Sequence, residues 1–117
     1  MILSEALDIS IRFWRDMAEH GYEYKSESEL FYLVKGFECC CPLCEWLLDN
    51  DEILHSDCPL YNRERRLACG NDEGFANKGL FTIWFQASDT TAKKEAAQAI
   101  VDTLVAARER LHENPRT

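Results

Sequence analysis

Long hydrophobic runs are missing from this 117-residue chain. Its most apolar stretches, residues 30–34 and 80–85, fall far short of the roughly 18 residues that a membrane-crossing helix needs. A soluble chain with no membrane span is expected. The opening MILSEALDISIRFW has neither a basic leader nor an unbroken apolar core, so it does not read as a secretory signal, and the cytoplasm is the expected location. Basic charge is scarce too, with 13 Lys and Arg against 21 Asp and Glu, a net −8. The deficit is concentrated at one end. Residues 1–60 carry 13 acidic against 4 basic side chains, net −9, whereas residues 61–117 carry 8 against 9, net +1. Such an N-terminal half repels nucleic-acid phosphate, whose binding depends on releasing counterions from a polyanion. A protein with a basic surface suits it better.

Catalytic signatures are absent as well. No H-E-x-x-H, no G-x-S-x-G and no glycine-rich phosphate loop occurs, and these patterns carry metal-assisted hydrolysis, acyl transfer and phosphate binding. The deaminase pattern fails because proline lies inside the C-x2-C pair and His55-Ser56-Asp57 lacks the required glutamate. The chain is not expected to be an enzyme. With 46% hydrophobic and 29% charged residues, and no repeat, residues 1–117 have the balance of a single globular domain. Three parts are distinguished: an N-terminal helical part (1–38), a metal-binding segment (39–79) and a C-terminal helical part (80–113).

What the chain does have is local pattern at both ends. Leu3, Ala6, Leu7, Phe13, Trp14, Met17 and Ala18 recur at intervals of about three and four, the apolar stripe of a helix. Ser4 is placed to cap its start and Gly21 to end it. The stretch SESELFYLVKGF, with Ser26 or Ser28 as cap and Gly36 at its close, is expected to form a short helix. Residues 79–87 are rich in aromatics (Phe81, Trp84, Phe85), with Ala87 three residues past Trp84. Ser88 or Asp89 then opens a long helix with Ala96, Ala97, Ile100, Val101, Leu104, Val105 and Leu111 on one face. Arg108, Arg110 and His112 suit the negative end of its dipole. That face is wide enough to suggest an antiparallel homodimer through the C-terminal helix. The expected fold is mainly α, with two principal helices packed on an irregular, zinc-knuckle-like centre.

That centre is expected because residues 39–79 hold all six cysteines and no long periodic segment, and disulfides rarely persist in a reducing compartment. Metal ligation orders such a segment; buried or redox-active thiols are the alternative. Cys41 and Cys44 form a C-x2-C pair, whose short turn lets two thiolates face one ion. His55 and Cys58 form an H-x2-C pair, thirteen residues separate Cys44 from Cys58, and Cys69 lies next to Gly70. The preferred structural zinc (Zn2+) set is Cys41, Cys44, Cys58 and Cys69, since thiolates hold zinc more firmly than imidazole. His55 is the reserve ligand or a donor to a bound thiolate. Cys39 and Cys40 have no partner at matching spacing and read as small apolar residues. Tyr61, Arg63, Arg65 and Arg66 make a small basic and aromatic group between two ligands. They give an alternative reading, a zinc-stabilised nucleic-acid-binding adaptor, although a loop salt-bridged to the acidic half accounts for them more simply.

The order of a helix, Cys41-Pro42-Leu43-Cys44, His55-Ser56-Asp57-Cys58-Pro59-Leu60, Cys69, the Trp84 to Ala87 step and Ala96-Ala97 in a final helix resembles small zinc-binding accessory proteins of tailed bacteriophages and prophages. The resemblance covers about the C-terminal two-thirds of the chain, and those proteins usually carry cysteine at the position of His55. It implies a phage or mobile-element origin and a bound zinc. By analogy with small acidic phage proteins it implies an accessory protein that binds, and modulates or inhibits, a host protein complex in the host cytoplasm. A defence system such as a CRISPR effector is one such target.

Overall fold

The computed structural model describes residues 2–37, 41–43, 46 and 79–113. Among them the chain is mainly helical, as its periodicity implies. Helix α1 spans Leu3–His20 and buries Ala6, Leu7, Ser10, Ile11, Phe13, Trp14 and Met17, spaced so that one face of the helix is covered. The stop is where the sequence places it: Gly21 takes φ 68 and ψ 35, and its N–H donates to Met17 O at 2.8 Å. The start is not. Ile2 is the cap residue and makes no side-chain capping bond, because the packing of Leu3 on the core draws the first turn ahead of Ser4.

The connector after α1 also departs from expectation. In place of a short helix it makes two 3-10 turns, Lys25–Glu27 and Phe31–Leu33. Ser28 does act locally, accepting the N–H of Leu30 at 3.0 Å, but the hydrogen bonds behind it close after single turns. Leu30, Phe31, Leu33 and Val34 all pack on the core while Tyr32 stays exposed, and no contact among the described residues explains why the segment closes into 3-10 turns and not an α-helix.

Helix α2, Leu80–Gln86, has only Trp84 fully buried. That indole meets Trp14 of α1 edge to face, with centroids 5.1 Å apart at 82°, an arrangement favoured by the ring quadrupoles. Neither Trp84 Nε1 nor Ser10 Oγ, both buried, has a hydrogen-bond partner among the described residues. Helix α3, Thr90–Glu113, is capped by Asp89, whose Oδ1 accepts the Ala92 N–H at 2.8 Å. Its buried Lys93 reaches back to α2 and donates from Nζ to Trp84 O (2.8 Å) and Phe85 O (3.0 Å), with the Trp84 ring centroid 4.4 Å away. The ammonium so satisfies carbonyls that a helix end leaves over. Burial holds the Lys93 pKa below the usual lysine value, with Glu23 opposing the shift.

The two long helices run antiparallel and pack directly on one another. Gly21 at the end of α1 lies against Thr90 at the start of α3. At the other end Asp8 Oδ1 is 3.4 Å from Arg108 Nη1. Leu7, Ile11 and Met17 of α1 join Ala97, Ile100, Val101 and Leu104 of α3 in one core, and each large side chain removed from water contributes about 1.5–3 kcal/mol. Val105 and Leu111 pack on the same core. Part of the stripe that suggests a homodimer is thus covered within the chain, with Val105 and Leu111 left half-buried. Of the expected zinc-knuckle-like centre, only Cys41, Pro42, Leu43 and Trp46 are among the described residues. No described helix is long and apolar enough to cross a membrane.

A Cβ at Gly21 would stand 2.7 Å from Thr90 Cγ2 and 2.8 Å from Thr90 O. Together with the left-handed backbone this should make Gly21→Ala cost at least about 1–3 kcal/mol. Urea denaturation should show a lowered midpoint; a variant as stable as the parent would contradict the close approach of α1 to α3.

Candidate functional site

The last turn of α1 and the connector folded back on it assemble one group of polar side chains. Asp16, Glu19 and His20 follow the i, i+3, i+4 spacing of a single helix face, and their ligand-type atoms lie within 4.8 Å of one another. His20 Nδ1 is 3.2 Å from Asp16 Oδ1 and 3.1 Å from Asp16 O. Its ring stacks on Tyr22, with centroids 4.9 Å apart at 17°. On the other side the Ser28 hydroxyl donates to Asp16 Oδ2 at 2.6 Å, a charge-assisted bond that ties the connector to the helix.

Further carboxylates gather at the same place. The Tyr22 pKa is raised above its ordinary value by partial burial, then by the charges of Asp16, Glu29, Glu19 and Glu27. The negative charges of four carboxylates from two segments of the chain thus act together on one phenol. Glu27 also accepts the Tyr24 N–H at 3.0 Å, which fixes the first 3-10 turn. Tyr24 and Tyr32 of the same connector are 55% and 58% exposed. A face of this kind offers carboxylates to ammonium and guanidinium groups and aromatic rings for the latter to stack on. The sequence shows the acidity of residues 1–60 but not its focus, because Glu27, Glu29 and Asp16 meet only once the connector folds back. The D-x2-E-H spacing of residues 16–20 was the one local signal.

A second exposed feature lies on α2. Phe85 is 58% exposed and Ile83 41%, with Phe81 stacked on Phe85 at 6.1 Å. Lys25 Nζ lies 4.9 Å from the Phe81 centroid and 5.5 Å from that of Trp14.

Of the expected metal ligands, Cys41 is described. It is half-buried and immediately precedes Pro42 and Leu43, which are helical and buried, Leu43 being part of the core. Proline suits a first helical position. Cys44, His55, Cys58 and Cys69 lie outside the described residues, as do Cys39, Cys40, Tyr61, Arg63, Arg65 and Arg66.

Replacing Glu27 and Glu29 together by glutamine should lower the Tyr22 pKa toward the ordinary 10.0, since less negative charge then opposes the phenolate. A pH titration of the Tyr22 ring resonances measures this. An unchanged value would mean that the carboxylates do not converge on Tyr22. No family model, curated protein or solved structure matches this chain.

Proposed function

We propose that this chain is an accessory protein of the phage or prophage type that docks on a host protein complex carrying a basic surface and modulates or inhibits it, a CRISPR effector or similar defence assembly being one such target. The single observation that carries the reading is the combined negative charge of Asp16, Glu19, Glu27 and Glu29 felt at Tyr22, in a segment that also exposes Tyr24 and Tyr32. Carboxylates held close together raise the local concentration of a cationic partner and speed its encounter. Exposed tyrosines supply contact area at small entropic cost. No catalytic step belongs to this proposal; the chain acts by occupancy.

The same proposal places a structural zinc on Cys41, Cys44, Cys58 and Cys69, with His55 in reserve. Its support is the C-x2-C spacing together with the anchoring of Pro42 and Leu43 in the core. An ion held there would contribute folding free energy to a segment with no long apolar face of its own.

Two measurements test these statements separately. Capture from host lysate with the intact chain should recover a specific protein whose retention falls with added salt. The variant Glu27→Gln/Glu29→Gln/Tyr24→Ala should bind that protein at least about tenfold more weakly, or about 1.4 kcal/mol. Retention of oligonucleotide with no specific protein would overturn the reading in favour of the adaptor built on Tyr61, Arg63, Arg65 and Arg66. For the metal, elemental analysis of the dialysed protein should find about one zinc per chain, lost in Cys41→Ser and kept in Cys39→Ser and Cys40→Ser. A parent protein without zinc, or Cys41→Ser with its zinc intact, would remove the metal from the account.

A further inference from the structure

We draw no further inference here: the strongest candidate, the side-chain cluster of Asp16, Glu19 and His20 on the last turn of α1, is largely exposed and its closeness is explained by the Asp16–His20 pair and the acidic face already described, with nothing beside it among the described residues that points to a ligand.

Discussion

The close approach of α1 to α3 at Gly21 is the constraint on which the rest of the described structure depends. Only a residue without a Cβ allows the end of one helix to lie against Thr90 and Lys94 of the other, and the same residue takes the left-handed conformation that ends α1. Two long helices brought together there lie side by side in opposite directions. Their apolar stripes then cover each other, and Ile11, Met17, Ile100 and Leu104 are almost wholly removed from water. Because α1 stops at this corner, the chain turns back over its last turn, and Ser28 comes within hydrogen-bonding distance of Asp16. That turn also brings the charges of Glu27 and Glu29, with those of Asp16 and Glu19, to bear on Tyr22.

Helix α2 is held differently. At seven residues it is too short to be stable alone, and it is fixed by the Trp84 indole against Trp14 and by the Lys93 ammonium on its last carbonyls. Lysine here has a mixed energetic role. Its hydrogen bonds and the ring beneath it offset part of the cost of burying a charge, and the lowered pKa shows that a net cost is left. The protein so spends its apolar surface on the α1 and α3 pair and uses specific polar bonds to place the shorter elements around it.

The sequence was most informative where the physics is local. The stripe of α1, the stop at Gly21 and the opening of α3 at Asp89 depend on residues within a turn or two of each other, and each is found where spacing and capping chemistry put it. It was least informative where a residue's role is set by distant neighbours. Ser4 is a good cap by type, yet Leu3 packs on the core and moves the start of α1. Residues 26–37 have caps and apolar content enough for a helix, but they close into two 3-10 turns. Lys93 is buried against α2, a role that no local pattern marks. The length of the α3 stripe is visible in sequence, whereas the share of it that α1 covers is not. For the candidate site, composition locates the negative charge in the first half of the chain; only the fold shows which carboxylates share a surface. The metal ligands rest on spacing alone, and of them only Cys41 is among the described residues.

The central functional claim is that binding takes place through the acidic, tyrosine-bearing end of α1. Hydrogen exchange compared between the free protein and its complex with the captured partner tests it most directly, since protection is read out along the chain. Amides of the last turn of α1 and of residues 21–33 should exchange more slowly in the complex, with those of residues 83–86 unchanged. Protection confined to the Ile83 and Phe85 face of α2, or to residues 61–66, would contradict the claim.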